Sequence, residues 1–146
     1  NKKTNNFLFE YSSNKLSFNI SHDDIQKYLN NYHHLIIPKM FRTWHTNCCF
    51  IYLIKNKLDY LKLLDKNGKM TQKIKKDFLK ESMLTISQKL HNTPTVIKNS
   101  YLDNLIFDLF LNDTSKIIRL IDKNKHLSKE RLLILITQKI RKNSIK

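Results

Sequence analysis

One glycine, Gly68, serves the whole of this 146-residue chain, and that sets the first limit on what it can build. Phosphate-cradling loops and dinucleotide fingerprints need several glycines so that the backbone can approach phosphate closely. Neither fits here, which argues against an NTP-driven mechanism. The only cysteines, Cys48 and Cys49, are adjacent and lie in an apolar helical run. They form no disulfide framework and no Cys-x-x-Cys zinc pattern, so they read as two buried thiols in an intracellular, reducing setting. The six histidines (22, 33, 34, 45, 91 and 126) lack His-x-x-x-His or His-Glu-x-x-His spacing. No metal and no other cofactor is expected.

The pattern along the chain predicts a mainly α fold with a small N-terminal β element. Residues 7–11 and 16–20 alternate as two short strands, with Ser12–Lys15 as the turn. Ser21 reads as the cap of a helix through "HDDIQKYLNNY", with Asp23 and Asp24 favourable at its positive end. Pro38 suits the first turn of a long helix that reaches Leu64. Asn67-Gly68 interrupts the pattern, and Thr71 caps a helix over 72–90. Thr93 and Pro94 start a helix to about Leu111 that carries Tyr101 some two turns in, and Ser128 caps a last helix to about Lys142. The expected organisation is one domain over 1–146: a β element over 1–20, catalytic helices over 21–112 and C-terminal helices over 113–146. No stretch is apolar for long enough to span a membrane, and no signal peptide is visible.

Charge points to the partner. Twenty-seven Lys and Arg against twelve Asp and Glu leave +15, and such a surface attracts polyanions, nucleic acid first and anionic membrane second. Biased usage of Lys, Asn and Ile accounts for the lysines but not for the scarcity of acids.

Two stretches carry the chemistry. In "KMFRTWHTN", residues 39–47, Arg42 stands on a helix between the core-type residues Phe41 and Trp44. An arginine framed in this way can be held so that its planar fork grips phosphate oxygens. In "HNTPTVIKNSYLDN", residues 91–104, a helix start precedes a lone tyrosine. Together these resemble the type IB DNA topoisomerases, in their small viral and bacterial branch. That branch has a Lys-x-Phe-Arg-Thr-Trp motif, matched by Lys39, Phe41, Arg42, Thr43 and Trp44. Downstream it has Asn/His-Thr-Pro and, after six intervening residues, Tyr, matched by Asn92, Thr93, Pro94 and Tyr101. "FLFEY" and "DDIQKYL" also resemble the family's approach to the arginine, so the likeness covers residues 7 to about 110.

The resemblance implies the helical catalytic fold shared by type IB topoisomerases and tyrosine recombinases. It makes Tyr101 the nucleophile, Arg42 a donor to the non-bridging phosphate oxygens and Asn92 a hydrogen-bond donor to one of them. Lys39, Thr43, His91, Thr93 and Lys98 are expected beside the DNA. The implied activity is strand cleavage through a 3′-phosphotyrosyl link and religation, without ATP or metal, on double-stranded DNA by a protein monomeric on its substrate. The implied location is inside the cell, on DNA, in a bacterium or the factory or virion of a large DNA virus. Tyrosine recombinases are a near alternative, but they carry His where this chain has Lys39. They also have a much shorter gap than the 50 residues between Arg42 and Asn92.

Several positions depart from the family. His91 stands where many members have Gly, Thr46 replaces a usual Gly, and Ile37, Pro38 and Met40 replace more polar residues. The family's second arginine and general-acid lysine fall upstream of the block matching 7–11, so the chain reads as the C-terminal part of a catalytic domain. An upstream catalytic segment and a DNA-clamping domain are then expected partners. The competing class is a non-enzymatic DNA-binding helical module that keeps fold and charge.

Overall fold

The computed structural model describes residues 10–13 and 16–144 and is mainly helical. Its contacts divide the chain into two compact units, Asn1–Phe41 and Arg42–Lys146.

In the N-terminal unit, β1 (Glu10–Ser13) pairs antiparallel with β2 (Leu16–Asn19), with Glu10 opposite Asn19 and Ser13 opposite Leu16. The expected strand residues 7–9 and turn residues Asn14 and Lys15 lie outside the described residues, whereas Ser12 and Ser13, expected in the turn, belong to β1, and Ile20, expected in the second strand, lies beyond β2. Ser21 caps α1 (His22–Asn30) reciprocally: its hydroxyl accepts from the Asp24 N–H at 3.2 Å, and the Asp24 carboxylate accepts from the Ser21 backbone at 2.9 Å. The Ser21 hydroxyl and N–H hold the Asp24 carboxyl below its ordinary range. The helix ends at Asn30 rather than continuing to Tyr32. Asn30 and Asn31 are weak helix formers, and α1 buries no residue whose packing could override them. Gln26 Nε2 ties the following loop back by donating to the Ile36 carbonyl at 2.8 Å.

The C-terminal unit is organised around α2 (Pro38–Asn56), whose first residues belong to the other unit. Residues 46–51 are all buried, so from Thr46 onward α2 is a central helix rather than an amphipathic one. The expected helix from Pro38 to Leu64 is two helices, because Lys57 (φ −101°, ψ 17°) interrupts it before α3 (Leu58–Lys66). Ile54, Leu58 and Leu61 are all buried, and their i, i+4, i+7 spacing runs unbroken across the interruption. The apolar pattern therefore carries no mark of the break.

After α3 the chain turns at Gly68 (φ +63°), with the Lys69 N–H bonded to the Leu64 carbonyl at 2.8 Å. A positive φ is a conformation that glycine adopts freely. Thr71 then caps α4 (Gln72–Leu90). A short α5 (Pro94–Val96), a π-helical turn (Ile97–Tyr101), α6 (Asn104–Asn112), α7 (Thr114–Lys123) and α8 (Lys129–Ser144) complete the unit. Phe50 from α2, Phe78 from α4 and Phe110 from α6 meet at its centre, with ring centroids 5.0–6.3 Å apart. Ile117 and Ile121 of α7 and Leu132 and Ile136 of α8 are fully buried in the same core. Both cysteines are buried free thiols, and burial pushes that of Cys48 up to about 11.

Candidate functional site

Tyr101 does not sit inside a continuous helix, contrary to the expectation of one element from Thr93 to Leu111. The Thr93 hydroxyl caps α5 by accepting from the Val96 N–H at 3.3 Å, and three residues later the helix widens into the π turn. Leu102 is extended (ψ 129°), and Asp103 starts α6 afresh by accepting from the Leu105 N–H at 2.8 Å. Two forces set this geometry. Asp103 is a strong N-cap, and such a residue competes with helix continuation. Ile97 and Leu102 are both buried, yet in an α-helix residues five apart point about 140° away from each other. Widening the turn, with the Leu102 N–H bonded to the Ile97 carbonyl at 2.9 Å, brings both into the core. Tyr101 is thereby left half-buried at the last position of the turn, its ring packed on the edge of the core. Single π turns are rare and frequent at functional sites.

The segment is held from α2 by a residue the sequence had not singled out. Asn47 is 3% exposed and uses both ends of its amide. Its Nδ2 donates to the Thr43 carbonyl at 2.7 Å and to the Tyr101 carbonyl at 3.0 Å, and its Oδ1 accepts from the Asp103 N–H at 3.0 Å. One buried side chain thus joins the turn of α2 that follows Arg42 to both sides of Leu102. The signal was present: an amide in register with Phe50, Ile51 and Ile54 on a buried helix must find partners there.

Arg42 is exposed, and among the described residues no hydrogen bond or ion pair engages its guanidinium. The neighbours expected to be core-type are not buried, with Phe41 57% and Trp44 45% exposed. The arginine is therefore framed by solvent-facing aromatics, since the core side of α2 begins only at Thr46. Thr43 is half-buried, and its carbonyl is the anchor for Asn47. Lys39 is exposed in the first turn of α2, within the N-terminal unit.

Asn92 is half-buried just before α5, with its N–H on the Ser87 carbonyl at 3.0 Å and its Nδ2 on the Leu90 carbonyl at 3.1 Å. One amide hydrogen orients the side chain and leaves the second to donate elsewhere. His91 is exposed and left-handed (φ 51°, ψ 48°), the sole non-glycine positive φ among the described residues. A left-handed cap is where glycine is most at ease, which gives the family's usual glycine a physical reason. Lys98 lies on the π turn, but its ammonium stands 5.2 Å from the Phe107 ring centroid, at the cleft between α4 and α6.

Against family models, curated proteins and solved structures, the chain matches none. Among the described residues, no group of three or more His, Cys, Asp or Glu converges as metal ligands would, and no helix is long and apolar enough to cross a membrane.

Proposed function

We propose that the chain is the tyrosine-bearing part of a type IB topoisomerase catalytic domain, with the helical fold of that family, acting on double-stranded DNA. The observation that carries this reading is the buried Asn47 amide, which ties the α2 turn after Arg42 to the turn ending in Tyr101. Catalysis by positioned groups needs nucleophile and charge-stabilising donor on one rigid frame, and that linkage supplies it for the backbone.

In the proposed reaction the Tyr101 oxygen attacks a backbone phosphorus. A P–O bond to tyrosine forms, the P–O5′ bond breaks, the phenol proton leaves and the 5′-oxygen gains one. Negative charge grows on the non-bridging oxygens, where the free Arg42 fork and the second Asn92 N–H are suited to donate. The phosphotyrosyl link keeps the energy of the broken bond, so the 5′-hydroxyl can reverse the step without ATP once the strand has swivelled. The +15 charge supports a polyanionic substrate but requires no catalysis, and it equally suits a non-enzymatic DNA-binding module.

The test uses a suicide-nicked duplex labelled at the 5′ end of the scissile strand. The chain is incubated with it, with and without the upstream catalytic portion of a type IB topoisomerase supplied in trans. The expected result is a covalent labelled adduct that depends on the supplied portion and disappears with Tyr101→Phe. DNA binding with no adduct under either condition assigns the chain to the binding-module class.

A further inference from the structure

The open cleft between α4 and α6 has a composition that the DNA reading does not use. It encloses about 550 Å³, and its floor is apolar, made by Leu79, Met83, Phe107 and Leu111. Three lysines, Lys76, Lys80 and Lys98, stand around it, and no acidic residue lines it. The acidic residues of α4 line other ground: Asp77 and Glu81 face a separate cleft beside α3, where Glu81 pairs with Lys57 at 2.8 Å. A strand of phosphates needs cations but no apolar floor, whereas an uncharged apolar ligand needs the floor but no cations. The two features together call for an occupant that is apolar on one face and anionic along its edges.

We infer that this cleft docks an acidic amphipathic helix of a partner protein. Lys76 and Lys80 are one helical turn apart on α4, and Lys98 faces them from the π turn. From Lys76 to Met83 the α4 wall rises about 10 Å, or two turns, which matches a partner helix offering apolar residues at i, i+4 and i+7. Met83 in the floor adapts to differently shaped side chains. The cleft is open, so a small molecule would keep much of its surface in water. A helix laid along the cleft, with Glu or Asp beside its apolar stripe, covers it and meets all three ammonium groups. Because Lys98 sits three residues before Tyr101, an occupant would lie next to the π turn.

Fluorescence anisotropy of the full chain with a labelled helical peptide of about 15 residues tests this. The peptide carries Leu at i, i+4, i+7 and i+11 flanked by Glu. Saturable binding is expected, with at least a ~10-fold loss when serines replace the leucines at unchanged charge. The double variant Lys76→Glu/Lys80→Glu should also weaken binding ~10-fold, with an unchanged urea midpoint because both lysines are exposed and neither pairs with another side chain among the described residues. Equal binding of the serine peptide would reduce the site to general polyanion attraction and overturn the proposal. So would absence of binding, and so would competitive displacement by a short DNA duplex, which would assign the cleft to the DNA surface. The readout needs no DNA cleavage, so its outcome is independent of Tyr101 chemistry.

Discussion

Replacing Asn47 by alanine removes three hydrogen bonds from one buried site, and the geometry sets the cost. The Tyr101 carbonyl loses its 3.0 Å donor, the Asp103 N–H loses its 3.0 Å acceptor, and the Thr43 carbonyl loses its 2.7 Å side-chain donor. An unsatisfied buried backbone group costs about 1–3 kcal/mol. Thr43, Tyr101 and Asp103 are all half-buried, so water recovers part of that. The expected loss for Asn47→Ala is about 2–4 kcal/mol in urea unfolding followed by far-UV circular dichroism. Native-state exchange of the Asp103 N–H should accelerate beyond the global effect, since that proton loses its acceptor.

Asn47→Asp separates polarity from shape. One oxygen can still accept from Asp103, but the other replaces Nδ2 and faces the Thr43 and Tyr101 carbonyl oxygens. Ionised, it is repelled by both; protonated, it can donate to one. The replacement carboxyl therefore binds its proton more tightly folded than unfolded, so its folded pKa is raised. The stability it carries is present below the ordinary carboxyl range and is lost as pH rises through the folded pKa. The deficit against wild type should grow from pH 4 to pH 7, whereas that of the alanine variant stays level. A loss under about 1 kcal/mol for Asn47→Ala, or an aspartate deficit indifferent to pH, would refute the assignment of Asn47 as the clamp.

Thr46 Oγ1 is buried with no hydrogen-bond partner among the described residues, so the isosteric Thr46→Val should raise stability by about 1 kcal/mol in the same urea assay; a loss of that size would mean that the hydroxyl is engaged. His91→Gly should stabilise by about 0.5–1 kcal/mol by relieving the left-handed strain, net of glycine's greater unfolded freedom, and a lower urea midpoint would contradict this. In the trans-complemented adduct assay, Arg42→Ala should slow labelling by ~10²-fold or more and Asn92→Ala by less; an unchanged adduct rate for Arg42→Ala would remove it from the site. Affinity for a duplex should fall with log salt at a slope near −4.5 for about five phosphate contacts, and a flat response would sink the electrostatic reading.

The sequence showed the caps and hid the interruptions, for physical reasons. Ser21, Thr71, Thr93 and Ser128 act through a hydroxyl on an N–H three residues on, a local bond that local sequence encodes. Gly68 marks its own turn in the same way. The break at Lys57 leaves the apolar spacing intact, so periodicity runs straight through it. The π turn is a tertiary compromise that puts Ile97 and Leu102 into one core, and no local spacing marks it. Trp44 and Phe41 misled because aromatic residues near a helix start are core-type by habit, while here burial begins at Thr46. Arg42, Asn92 and Tyr101 were all legible as residue types in a spaced pattern. Asn47 was legible only as an amide in register with apolar positions of α2, because its worth lies in partners 54 and 56 residues away that no local pattern names.

That distance explains why the candidate site is held from the helix interior rather than from its own loop. The residues after Tyr101 leave helical geometry, so the turn has no following i→i+4 ladder to stiffen it. A half-buried tyrosine at such a place would otherwise sample many backbone positions, and for the proposed nucleophile small misplacement of a reacting group costs orders of magnitude in rate. Leu102 supplies the apolar anchor, and the Asn47 amide fixes the carbonyl before it and the N–H after it. Non-directional burial sets the depth, while the two hydrogen bonds set the rotation of the peptide planes. The ring of Tyr101 then packs on the core edge with its backbone already fixed, and Arg42 stays free because the anchoring of its own helix is done one turn later. Rigid support from buried residues and unengaged polar groups at the surface is the division of labour that a preorganised phosphoryl-transfer site requires.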